Sequence, residues 1–170
     1  MMLQALAYGL IWSVMWSVYV FLILKFYPFS MLHDYPKDIQ AASTIEKPTE
    51  MQKKGAKRLG AVGGLVILGV LLSFGLLRFH SEQASFFRIL QYIFIIGMTW
   101  NVVDLLVMDW LIVCTITPKW IVISGTEGCK GYKDYFFHFK GFLLGCVYTA
   151  IMALVFSGID YAVLRFLIWK

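Results

Sequence analysis

Apolar residues run along this chain in four long blocks, with the polar residues gathered between them. Residues 1–24 and 60–77 carry no charge, residues 89–117 are broken only by Asp104 and Asp109, and residues 141–159 are uncharged, with apolar character continuing past Asp160 to Trp169. Each block reaches the ~20 residues that take an apolar helix across a hydrocarbon core ~30 Å thick. The pattern predicts an all-α fold: a polytopic membrane protein of four transmembrane helices at about 2–25, 60–78, 89–117 and 141–168. They form a single domain over 1–170, with two longer loops after the first and third spans. No Lys or Arg precedes the first block, which reads against a secretory signal peptide.

The loops have their own punctuation. Pro28, Pro36 and Pro48 interrupt the first. Pro36 predicts a short helix through Ala42, because proline suits a first helical turn, and Pro48-Thr49-Glu50 reads as a second helix start. In the other long loop, Trp120-Ile121-Val122-Ile123 is β-branched and short, which predicts an extended strand before a turn at Gly125–Gly128. Tyr132, Tyr135, Phe136, Phe137 and Phe139 around His138 predict a ledge lying at the membrane surface.

Composition agrees with this reading: 60% of residues are hydrophobic and 15% charged, against roughly 25% charged in a soluble domain. The net charge of +5 invites a nucleic-acid partner, but its distribution assigns it to topology. Lys25, Lys37, Lys47, Lys53, Lys54, Lys57 and Arg58 fall in the first long loop, and Lys119, Lys130, Lys133 and Lys140 in the second. Only Arg78, Arg88, Arg165 and Lys170 fall on the other side. By the positive-inside rule the two long loops are cytoplasmic and both termini lie outside the plasma membrane. The basic residues then serve orientation and attraction to anionic lipid, with no nucleic-acid partner. Cys114, Cys129 and Cys146 sit on the reducing side. With His138 they formally make up a Cys3His set, yet their spacing matches no metal motif, so they read as fillers with neither metal nor cofactor.

Small residues mark packing faces. Gly60 and Gly64 form a GxxxG pair, and Gly141, Gly145, Thr149, Ala153 and Ser157 recur every fourth position. Such stripes let helix backbones approach, so the second and fourth spans are expected to pack with each other, with a second copy or with a membrane partner. Tyr8, Trp12, Trp16 and Tyr19 in mid-span predict packing against neighbouring helices ahead of the alternative, the lining of a cavity.

The candidate chemistry lies in the third span. A carboxylate at the bilayer centre costs about 2.5–3.5 kcal/mol on insertion scales, so it is seldom without a partner or a purpose. In a regular α-helix Asp104 and Asp109 point ~140° apart and do not form a dyad. Asp104 shares its face with Gly97, Trp100 and Asn101, a polar stripe turned towards the bundle interior. Asp160, beside Tyr161, is expected at the outer interface.

The run from Asp109-Trp110 through Thr117-Pro118-Lys119-Trp120, Gly125-Thr126-Glu127-Gly128 and Tyr132 to His138 resembles small multi-pass membrane proteins of Gram-positive bacteria. The resemblance covers roughly the second half of the chain. It implies no particular activity, but implies that the third span and the loop after it work as one unit.

Three functions follow from these residues. One is a protein that binds or transports a small ligand, cation or proton at a buried carboxylate, with Asp104, Asn101, Trp100 and Asp109 as its site. Another is a membrane enzyme using Glu127, Tyr132, Asp134 and His138 at the cytoplasmic face; their spacing matches no phosphate loop or nucleophile elbow. The last is an accessory subunit held through Gly60, Gly64, Gly141 and Gly145.

Overall fold

The computed structural model describes residues 1–169, and among these every regular element is helical. Four helices are long and apolar enough to cross a membrane. α1 is Met2–Phe26, α2 the short Lys37–Ala42, α3 Glu50–Phe79, α4 Phe86–Val103 and α5 Tyr135–Val163. α4 continues as a π-helix over Asp104–Ile116, and α5 as one over Leu164–Ile168. The expected helix starts are present. Pro36 stands at the N-cap of α2, and Thr49 caps α3 in a reciprocal pair with Gln52, each satisfying a backbone N–H that the helix leaves free.

Side-chain donors and stacked rings tie the long helices to one another. Trp12 Nε1 donates to the Ile67 carbonyl at 2.9 Å, and the Tyr19 hydroxyl to the Gly60 carbonyl at 3.2 Å. Tyr8 stacks on Phe74 with ring centroids 4.5 Å apart. Three of the four mid-span aromatics of α1 therefore bind α3. On its other side α1 meets α4 where Gly9 lies against the side chain of Thr99. α4 meets α5 through Gly97, set against Thr149, and through Asn101, whose amide donates to Thr149 Oγ1 at 2.8 Å.

The small residues act differently from the expected stripe. Gly60 lies near the Tyr19 hydroxyl, and Gly145 lies against Asn101, whereas Gly64 and Gly141 face open space. α3 does pack on α5, but at the far end, where Gly75 receives Asp160 and Trp169 Nε1 donates to the Phe79 carbonyl at 2.8 Å. Asp160 is not interfacial: it is fully buried.

That far end is closed by the α3–α4 hairpin, where Glu82 lies 2.9 Å from Arg78 and 2.5 Å from Arg88. The Arg78 hydrogen bond, aided by Arg88, holds the Glu82 carboxyl below its ordinary range. Because the folded value is depressed, this contribution is complete above the unfolded carboxylate range, near ~4.3, and is lost as pH falls through the folded value. Glu82→Gln is thus expected to flatten part of the acid-side fall in thermal stability, measured in detergent from neutral to acid pH. The effect is small because the Glu82 carboxylate is partly open to solvent.

The opposite end carries a folded cap with a small core of Tyr35, Ile39, Ile121, Ile123 and Tyr132. Residues 120–123 form no strand. They turn inward so that the Tyr132 hydroxyl accepts from Ile123 N at 2.9 Å and bonds Thr126 Oγ1 at 2.7 Å. Asp38 accepts from Gly131 N at 2.8 Å, tying α2 to this loop. Gly125 has a φ of 84° and lies against Thr44, a close approach with positive φ that only glycine makes cheaply. Tyr132→Phe strands a buried N–H and is expected to cost about 1–3 kcal/mol. Proteolysis within residues 117–134 should accelerate accordingly, with the helices left intact.

Candidate functional site

The register of the third long helix changes at Asp104, whose N–H is shared between the Asn101 and Trp100 carbonyls. Beyond it the backbone bonding is i→i+5, as in Thr117 N to the Ile112 carbonyl at 2.8 Å, and the Thr115 hydroxyl adds a side-chain bond to the Trp110 carbonyl at 2.7 Å. The run stops at Thr117, which adopts a left-handed conformation before Pro118. Lys133 caps it, reaching the carbonyls of Cys114 at 2.6 Å and Thr115 at 3.1 Å. π-helical turns are rare and concentrate at functional sites. Here the wider turn has a direct consequence: residues five apart point much closer together than the ~140° of an α-helix. Asp104 and Asp109, opposed in an α-helix, come to one face.

That face forms one wall of a cavity of about 610 Å³. Trp16, Val20, Phe21 and Leu24 of α1 line one side, and Phe137, His138, Phe142 and Gly145 of α5 the other. Between them lie Trp100, Asn101, Asp104, Met108 and Asp109. Met31, His33, Asp34 and Tyr35 of the cap line its mouth. The walls are mostly apolar and aromatic, and Trp16 stacks on Trp100 at 5.7 Å.

The polar groups converge. His138 Nδ1 lies 3.0 Å from Asp109 Oδ1. Among the described residues, His138 Nε2 and Trp16 Nε1 are buried with no hydrogen-bond partner, and Asp104 makes no ion pair. An indole N–H can only donate. The polar side chains of the lining are thus Asn101, Asp104, Asp109 and His138, with His33, Asp34 and Lys140 beside them, and the Lys140 ammonium is drawn over the Phe136 ring at 4.5 Å. At its mouth, burial raises the Asp34 carboxyl above its ordinary range, opposed by His33 at 3.2 Å. The Tyr35 hydroxyl is raised by burial and then by Tyr132, Asp34 and Asp109, so it stays a donor, to the Ile121 carbonyl.

The residues predicted from the sequence sort clearly. Asp104, Asn101, Trp100 and Asp109 all line the cavity, and His138 joins them. The remaining face residues stay apart from it. Glu127 is exposed on a turn, Tyr132 is committed to the cap, and Asp134 caps α5 by accepting from Phe137 N at 2.9 Å. Among the described residues no three His, Cys, Asp or Glu side chains are placed to hold a metal, and the three cysteines do not assemble around His138. Of the mid-span aromatics, Trp16 does line the cavity as well as pack on Trp100, while Asp34 and Tyr35 are cavity residues for which an Asp-Tyr pair before Pro36 is the only signal in the sequence. The third helix and the following segment are joined where Trp110 Nε1 donates to the Tyr135 carbonyl at 3.2 Å.

Compared with family models, with curated proteins and with solved structures, the chain matches none.

Proposed function

We propose that this protein spans the membrane with its cap in the cytoplasm and both termini outside, and binds or transports a small amphiphilic cation in the inner-leaflet cavity. The observation that carries the reading is that Asp104 and Asp109 on the third long helix, with His138 of α5 against Asp109, line a cavity whose lining is mostly aromatic and aliphatic. Carboxylates supply counter-charge, and indole faces attract a cation further where water is scarce. The charge bias of the loops supports the orientation. The open Gly64 and Gly141 faces are where a second copy or a membrane partner would approach.

The test uses three probes of equal chain length: dodecylamine, N-dodecylacetamide and dodecanoate, added to purified protein in neutral detergent. The amine at about 100 times its Kd should stabilise the fold by about 2.7 kcal/mol. The amide and the carboxylate should do little, and Asp104→Asn with Asp109→Asn should abolish the amine's effect. Equal stabilisation by all three probes overturns the cation reading.

One observation favours a second reading, an enzyme at the same end. Asp109 lies 3.0 Å from His138 Nδ1, and among the described residues the far nitrogen of the imidazole is unpartnered, the pairing that orients a general base. On that reading His138→Gln fails to restore function in a strain lacking the gene yet still binds dodecylamine. Full restoration by the variant removes it.

A further inference from the structure

A second buried carboxyl group lies far from the cavity, between α3 and α5. Asp160 is fully buried, and among the described residues neither of its oxygens has a hydrogen-bond partner. Ser157, one helical turn earlier on the same face, is also fully buried with its hydroxyl unpartnered. Opposite them is Gly75, where a Cβ would overlap Asp160 Oδ2 and press on Ile93. The carboxyl group occupies space that only a glycine leaves. The titratable groups on the surrounding elements are Arg78 on α3, Arg88 and Tyr92 on α4, Tyr8 on α1, and Tyr161 and Arg165 on α5 with its continuation. Arg78 and Arg88 are both engaged with Glu82, the Tyr92 hydroxyl is itself buried without a partner, and none of the six bonds to Asp160.

An unpaired charge in such a place is far too costly to persist, so the group must be neutralised or hydrated. Two carboxyl oxygens and one hydroxyl are too few for a hard metal cation, which takes about six oxygens or more. A proton needs only one. We propose that Asp160 is a proton-binding site that gates the hairpin end of the bundle. With its proton the carboxyl group fits beneath Gly75 and α3 closes on α5. On losing it, the carboxylate requires water that the closed contact cannot admit, and the helices part between Gly75 and Ser157. The site stands independently of any ligand in the inner cavity.

The seam behind Asp160 gives the gate a route inward. Along α5 the buried positions run Asp160, Ser157, Ala153 and Thr149, and Thr149 holds Asn101, which lines the cavity. Ala153 is the one apolar step, so the seam carries a packing change more readily than a free proton.

The experiment uses the full chain in neutral detergent. Infrared spectra at neutral pH should show a protonated-carboxyl carbonyl band that is absent in Asp160→Asn. Maleimide labelling of Ser157→Cys, read peptide by peptide against Ser73→Cys on an exposed face of α3, reports opening. The ratio of position 157 to position 73 should rise about tenfold from acid to alkaline pH, a coupling of ordinary allosteric size. It should stay low at every pH when Asp160→Asn is added, and high at every pH with Gly75→Ala. If Asp160→Asn does not fold, Asp160→Leu, which is apolar and has no proton to lose, takes its place. An unchanged infrared band, or the same labelling curve with and without Asp160, overturns the proposal.

Discussion

Gly9→Leu is expected to cost about 3 kcal/mol and to detach the first span from the rest of the bundle. At position 9 even a Cβ would lie 2.6–2.9 Å from three side-chain atoms of Thr99, so a full side chain must push α1 away from α4. Overpacking of a close contact costs about 1–3 kcal/mol, and the upper value applies because Thr99 is itself tied to the Ile95 carbonyl at 2.8 Å. The damage reaches the site, since Trp16 stacks on Trp100 two turns further along the same interface. Thermal unfolding in detergent reads the stability loss, and loss of dodecylamine-dependent stabilisation reads the damage to the cavity. Gly69→Leu, at an exposed position of α3 with open space around it, is the control and should do neither.

Asp109→Asn is expected to weaken dodecylamine binding about 100-fold, with the fold retained. The carboxylate has two tasks. It is counter-charge for a cation in the cavity, and it fixes His138 through Nδ1 at 3.0 Å. A contact to a charged group contributes about 1.5–3 kcal/mol, so loss of the carboxylate's charge accounts for about 100-fold in affinity at ~1.4 kcal/mol per tenfold. Asparagine keeps the size and still accepts a hydrogen bond, so the loss reports charge rather than volume. Asp104→Asn should weaken binding less, by about tenfold, because Asp104 has no histidine to orient. Titration of the amine against tryptophan emission, with Trp16 and Trp100 as cavity reporters, separates the two variants.

The helices, the Thr49 start and the Pro36 start were readable from local chemistry, because each depends on residues adjacent in the chain. Asp104 with Asn101 and Trp100 was readable as well, since burial of a polar stripe follows from helical spacing. What could not be read was the pairing of Asp104 with Asp109. Spacing arguments assume the α-helical angle, and the i→i+5 register after Asp104 replaces it. The cap was misjudged for a related reason. The β-branched run at 120–123 has strand propensity, but Tyr132 and Thr126 supply hydrogen bonds to its backbone that no neighbouring strand offers. Asp160 was placed at an interface because it lies near the end of an apolar block. Only the contact with Gly75, eighty-five positions earlier in the chain, buries it. Non-local contacts of this kind leave no periodic trace.

The central claim, that the space between α1 and α5 takes an amphiphilic cation, is tested most directly by photolabelling with a diazirine-bearing alkylamine. The account predicts adducts on the cavity-lining stretches 16–24, 100–113 and 137–145, competed away by dodecylamine and lost in Asp109→Asn. Uniform labelling of the exposed faces of α3, unaffected by competitor or by the substitution, would contradict it.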